Sequence, residues 1–177
     1  MALLLPAAWL IVCGANTAAQ AAEAVFTVAN YPVEARADNA VTAKTQALAE
    51  GQQAAFRSLL KRLVPVTAYT RLRKLGTVKA GDLVEGYKVR SERNSATQYI
   101  ASLDFSFQSK AIRDLLRREG IPFSDEQSPA VTVIPVWRDG PAGAPREDAT
   151  WTNIWKGLDL EHALTPVKLQ TLRKEIQ

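Results

Sequence analysis

The chain is poor in the side chains that do chemistry near neutral pH. Among 177 residues there is one cysteine, one histidine and one methionine. A single cysteine, Cys13, rules out an internal disulfide. It lies in an N-terminal apolar stretch, and its removal would leave no thiol nucleophile and no cysteine-held metal. The one histidine is His162, whereas a zinc site draws three or four ligands from His, Cys and carboxylates. No metal site is expected, and no cofactor. The sequence also lacks a Gly-x-Ser-x-Gly elbow and a Ser-x-x-Lys pair. It has no glycine-rich phosphate loop, no dinucleotide fingerprint and no EF-hand spacing. Asp104 and Asp114 stand alone, whereas glycoside hydrolysis needs a pair of carboxyl groups in a cleft. Asp104 alternates with serines and is expected to be solvated. Asp159, Glu161 and His162 read as an exposed helix start with acid in its first turn. With no catalytic set left, the chain is expected not to be an enzyme.

Long apolar runs are missing too. The first 21 residues, MALLLPAAWLIVCGANTAAQA, hold an apolar run from Ala2 to Val12, short of the roughly 20 residues a membrane helix needs. The run gives way to small and polar residues and ends in Ala19-Gln20-Ala21, the small-x-small pattern of a signal-peptidase site. Residues 1–21 are therefore expected to be a signal peptide, and the mature protein periplasmic. Leu10-Ile11-Val12-Cys13-Gly14 also has the form of a lipoprotein box, although Val12 stands where a small residue is usual. A lipid anchor through Cys13 is the alternative location.

What is present is an ordinary globular composition, 47% hydrophobic and 23% charged, with a net charge of +4. The basic residues are unevenly spread. Between Arg57 and Arg93 they far outnumber Asp82, Glu85 and Glu92, which makes a local positive field. The candidate partner-binding residues come from this region: Arg71, Arg73, Lys74, Lys79, Lys88 and Arg90. Trp151 and Trp155 join them as an aromatic pair four residues apart on one helical face.

Periodicity gives the elements. Val25–Ala29 reads as a first strand that stops near Pro32. Asp38 or Asn39 caps a long helix to about Leu63, which Pro65 ends. Ala43, Ala47, Gly51, Ala54 and Ser58 make a small-residue stripe that would let this helix lie close to a sheet. Residues 66–85 form a basic, less regular connection. Alternation then gives a hairpin, with a three-residue loop at Arg93-Asn94-Ser95 pairing Val89 with Tyr99 and Tyr87 with Ala101. Ser109 caps a second helix, with Ile112, Leu115 and Leu116 inward and Gly120-Ile121-Pro122 as its stop. Val131–Trp137 is an apolar strand, residues 139–150 a Gly/Pro linker, and residues 151–177 a helical tail. Thr165-Pro166 opens the last helix of that tail, with Leu169, Leu172 and Ile176 on one side. The helix has no stop signal, so the tail is expected to begin a further region of a longer protein.

Strand, helix, strand, strand, helix, strand is the βαββαβ order of a ferredoxin-like split sandwich. The expected fold is α+β: residues 22–138 as a four-stranded antiparallel sheet with two helices on one face. Tyr99, Leu103, Phe105 and Phe107 would face the helices, with Tyr87 and Val89 on the same side. Lys88, Arg90, Ser102, Asp104 and Ser106 would face outward. RNA-binding sheets of this kind stack bases on outward aromatics. Here the aromatics share the core parity, so no nucleic-acid partner is expected.

One resemblance adds to this. Leu60-Lys61-Arg62-Leu63-Val64, Gly86-Tyr87-Lys88-Val89-Arg90, Leu103-Asp104-Phe105 and Leu115–Pro122 follow one another in an order that resembles the bacterial DUF2066 family, exported proteins of unknown function. With the strand Val131–Trp137 the likeness covers residues 25–157. It implies export and a longer parent chain, and it carries no active-site residue.

The expectation is therefore a non-enzymatic, exported cell-envelope protein serving as an interaction or accessory module. Its partner would be another envelope protein, with weak anionic-membrane contact through the basic stretch as a further mode. The alternative is an envelope enzyme or small-ligand-binding protein whose site is completed by further chain.

Overall fold

The computed structural model describes residues 23–172. The expected signal peptide, Cys13 and Ile176 lie outside them. Mixed α+β architecture is present: one three-stranded antiparallel sheet, one two-stranded parallel sheet, and helices between and after them.

Strand β1 runs Thr27–Arg36, helix α1 Ala40–Leu63, strand β2 Val84–Asn94 and strand β3 Gln98–Phe107. Between α1 and β2 the chain makes two 3-10 segments, Val66–Leu75 and Ala80–Asp82. The sheet order is β1-β3-β2. Pro32 does not stop β1 as expected. It sits opposite Ser102, and an edge strand tolerates a residue without an N–H.

Asn39 is the residue that caps α1: its side-chain oxygen accepts from the Thr42 amide at 2.9 Å. Ala43, Ala47, Gly51 and Ala55 form the buried small stripe, one position off the expected Ala54. It lets α1 press onto β1 and β3. A Cβ at Gly51 would meet Val33 Cγ1 at 2.4 Å and Phe105 Cζ at 3.2 Å, so this close approach requires glycine. Phe56, Leu59 and Leu63 then fill the core with Phe105, Phe107 and Leu103, all fully buried. Each such side chain contributes about 1.5–3 kcal/mol relative to exposure.

Helix α2, Ser109–Arg118, follows β3 directly. Ser109 does not cap it. Its hydroxyl donates to Glu23 Oε1 at 3.0 Å instead. Ile112, Leu115 and Leu116 are buried, and Arg113 lies over the Phe26 ring at 4.7 Å. The buried residues of this helix join the same core as α1 and the sheet, and the backbone of α1 approaches the strands more closely than that of α2. Gly120, at φ +64°, stops α2. That left-handed conformation suits glycine after a helix end.

The expected fourth strand does not join this sheet. Only Val131–Val133, β4, is extended into a ladder, and its parallel partner is β5, Val167–Leu169. The last helix expected from Thr165 onward is thus a strand over 167–169. Leu169, Leu172 and Ile176 have helical spacing, but Val167 and Leu169 also have the two-residue spacing of a strand, and the exposed backbone of β4 selects the latter. Helix α3, Ala149–Lys156, carries Trp151 and Trp155. Their rings meet edge to face, with centroids 6.0 Å apart. The 139–150 segment folds back on itself, with Trp137 and Arg146 exchanging backbone hydrogen bonds of 2.8 and 3.0 Å.

The hairpin register also differs from the expected one. Val89 stands opposite Leu103 and Tyr87 opposite Phe105. The turn falls at residues 95–97, closed by a 2.8 Å bond from the Ser95 amide to the Gln98 carbonyl. A bulge between Val89 and Ser91 then reverses the parity of the rest of β2. Glu92 therefore lies opposite Ala101 on the helix side, where it pairs with Lys44 of α1 at 3.2 Å.

Candidate functional site

Two places bring polar or exposed groups together: the outer edge of β2, and the seam between β1 and the C-terminal segment.

Strand β2 has β3 on one side and, among the described residues, no strand on the other. Its eleven residues are mostly exposed. Tyr87 and Val89 point to the helix side, opposite Phe105 and Leu103, at the margin of the area that α1 covers. They stay 44% and 41% exposed, which corrects the expectation that they join the core. On the opposite side are Lys88, with Arg90 at the bulge. An uncovered edge offers a row of free N–H and C=O groups for another strand.

The other edge, that of β1, is bound by side chains at its start. Arg62 Nη1 donates to the carbonyls of Val25 and Thr27 at 3.0 and 2.6 Å. Arg62 Nη2 lies 2.6 Å from Asp159 Oδ2, and the same oxygen accepts from the Ala29 amide at 3.1 Å. His162 Nδ1 lies 2.5 Å from Asp159 Oδ1. Together Arg62 and Asp159 take up edge groups of β1 that a fourth strand would otherwise have used. Asp159 and His162 are thus not an exposed helix start: their side chains are 15% and 14% exposed. Burial pushes the Asp159 carboxyl up. The His162 hydrogen bond, the Ala29 N–H and the Arg62 charge outweigh that effect and hold the carboxyl below its ordinary value.

Asp104 belongs to the same side of the sheet. It is buried, not solvated as its serine neighbours suggest. A bulge at Ala29-Asn30 places Asn30 at φ +52°, and its amide donates to Asp104 Oδ1 at 2.8 Å. Arg90 Nε donates to Asp104 Oδ2 at 2.7 Å, and Ser102 Oγ to Asn30 Oδ1 at 2.6 Å. Between the two carboxylates a cleft of about 380 Å³ is lined by Asn30, Arg90, Lys156, Glu161 and His162 among others. Its charges are mixed, and Arg90, Asp159 and His162 are paired internally.

The residues expected to bind a partner are spread over three regions. Arg71, Arg73 and Lys74 lie exposed on the first 3-10 segment, and Lys79 just before the second. Arg71 is committed to the Gly120 carbonyl at 3.0 Å. Lys88 and Arg90 are on β2, the latter bound to Asp104. Trp151 and Trp155 are half-buried on α3. The basic set and the aromatic pair therefore do not form one patch. Sequence reasoning missed the seam, because its parts are far apart in the chain. The two bulges that build it leave no mark in a periodicity.

Among the described residues no group of three or more His, Cys, Asp or Glu could hold a metal, and no helix is long and apolar enough to cross a membrane. Comparison with protein-family models, curated proteins and solved structures found no match to this chain. None of them supports the DUF2066 likeness, which rests on the residues quoted above.

Proposed function

We propose that this chain is a non-enzymatic, exported cell-envelope protein of the DUF2066 kind, an interaction module that takes a strand from another envelope protein along the outer edge of β2. The observation that carries this reading is the edge itself. It is an eleven-residue strand whose outer side meets no strand among the described residues, with two half-exposed apolar side chains, Tyr87 and Val89. Lys88, Arg93 and the bulge between Val89 and Ser91 restrict which strand can pair there. On the other edge of this sheet Arg62 and Asp159 take up the Thr27 carbonyl and the Ala29 amide at the start of β1. Strand addition draws affinity from main-chain hydrogen bonds and specificity from alternate side chains. A partner strand beside β2 would complete a four-stranded sheet.

The test is site-specific photo-crosslinking in the envelope fraction of the native host. A crosslinker at Val89 should give one discrete adduct. The same group at Val41, 76% exposed on α1, should give none. Equal labelling at both positions, or none at Val89, would end the proposal. Intact mass from the same fraction checks export, with the mature chain beginning at Ala22.

The cleft beside Asp159 favours a second reading, a small-ligand-binding protein or enzyme completed by further chain. It has room for a small molecule, with Lys156, Arg90 and His162 at its wall. Under that reading the added chain brings more acids or histidines to the cleft, and His162→Ala abolishes ligand binding without changing the Val89 adduct.

A further inference from the structure

Away from both places lies a groove between α1 and the first 3-10 segment, with a volume of about 270 Å³. Its apolar lining comes from Phe56, Leu60 and Leu75, all buried, and from Tyr69 and Leu72, half-buried. The Tyr69 hydroxyl donates to the Lys61 carbonyl at 2.8 Å and ties the 3-10 wall to α1. The groove is therefore held open by a fixed contact.

Its charged lining has one sign. Arg57 and Lys61 stand four apart on α1, and Arg73 faces them from the other wall; among the described residues no carboxylate lines the groove. None of the three cations has an ion-pair partner among the described residues. Like charges at this helical spacing repel, so the arrangement is stabilised by an anion. An apolar body rejects a hydrated polar ligand, whereas a planar carboxylate suits guanidinium donors. Ligand sites combine this apolar lining with a few placed polar groups.

We propose that this groove binds a single-chain carboxylate amphiphile, with the acyl chain along Phe56, Leu60 and Leu72 and the carboxylate between Arg57, Lys61 and Arg73.

The probe is dodecanoate below its micellar concentration, titrated calorimetrically into the mature chain. Saturable binding at one site is expected, with dodecanol binding about tenfold weaker or less. The double variant Lys61→Glu/Arg73→Glu should lose about tenfold or more in affinity, at an unchanged melting temperature. Leu72→Trp should fill the groove and abolish binding. Should it fail to fold, the charge-reversed pair still decides. No saturable binding, or binding indifferent to charge reversal, overturns the proposal. So does capture by phosphatidylglycerol vesicles without binding of monomeric dodecanoate, which would make the rim a membrane-surface contact. Preferential binding of a glutamate-rich peptide would overturn it too. The Val89 crosslink is independent of every outcome here.

Discussion

Arg62 and Asp159 stand 97 residues apart in the chain and 2.6 Å apart in space. Through them the C-terminal segment is fastened to helix α1 and to the outer edge of β1 at once. Removing either partner leaves the other part-buried without its counter-charge, held only by its remaining hydrogen bonds, which costs more than the pair contributes. Asp159→Ala and Arg62→Ala should each lose about 2–3 kcal/mol, somewhat below the range for fully buried pairs. The double variant should lose much less than the sum. Urea denaturation of all four chains of the cycle measures this, and additive losses would show that the two do not act as a unit.

The same contact has a defined pH dependence. The Asp159 carboxyl is held below its ordinary value in the folded chain. A depressed carboxylate contributes its full stability above the unfolded value, about 3.9. That contribution is lost as pH falls through the lower folded value. The fastening should therefore be intact at pH 5 and lost progressively below about pH 4. Hydrogen exchange at the Ala29 amide, which donates to Asp159, reports it directly. Asp159→Asn should remove the acid-dependent part of that protection, and an unchanged profile in this variant would assign the effect elsewhere.

Glycine in a helix interior costs about 1 kcal/mol against alanine, so Gly51→Ala would stabilise α1 if helix propensity decided the matter. The new Cβ would stand 2.4 Å from Val33 Cγ1. Valine is stiff at χ1 and cannot swing clear. Overpacking of this kind costs about 1–3 kcal/mol, and the net result should be a loss of about 1–2 kcal/mol. Gly51→Ala combined with Val33→Ala should recover part of it. Thermal melts of the two variants check the sign, and a stabilised Gly51→Ala would mean that α1 can lift from the sheet.

These positions show what the sequence disclosed. The start and stop of α1, at Asn39 and Pro65, follow local rules that need no tertiary information. The same holds for the glycine after α2 and the core parity of β3. Bulges obey no period. Once one falls between Val89 and Ser91, every later parity assignment in β2 reverses, and Glu92 changes sides to meet Lys44. The place of Val131–Val133 was hidden for another reason. Its partner lies more than thirty residues on, in a stretch whose leucines also fit a helix. Asp104 and Asp159 looked solvated because their partners, Arg90, Asn30 and Arg62, come from other elements.

Asp104 shows what such a hidden partner contributes. It is buried, and it pins two unusual things at once: the Asn30 amide at a left-handed bulge, 2.8 Å away, and the Arg90 guanidinium, 2.7 Å away. Asp104→Ala leaves the amide unpaired and should lose about 1–3 kcal/mol. Arg90→Ala should lose only about 0.5–1 kcal/mol, because Arg90 is 51% exposed and water screens the pair. Asn30→Gly keeps the backbone amide and suits φ +52°, so it loses only the bond from Ser102. Asn30→Val keeps the amide too, but a β-branched residue is strained in that region and should destabilise more than glycine. Urea midpoints for the four variants rank them. If Arg90→Ala proves costlier than Asp104→Ala, the ion pair rather than the bulge amide governs this corner of the sheet.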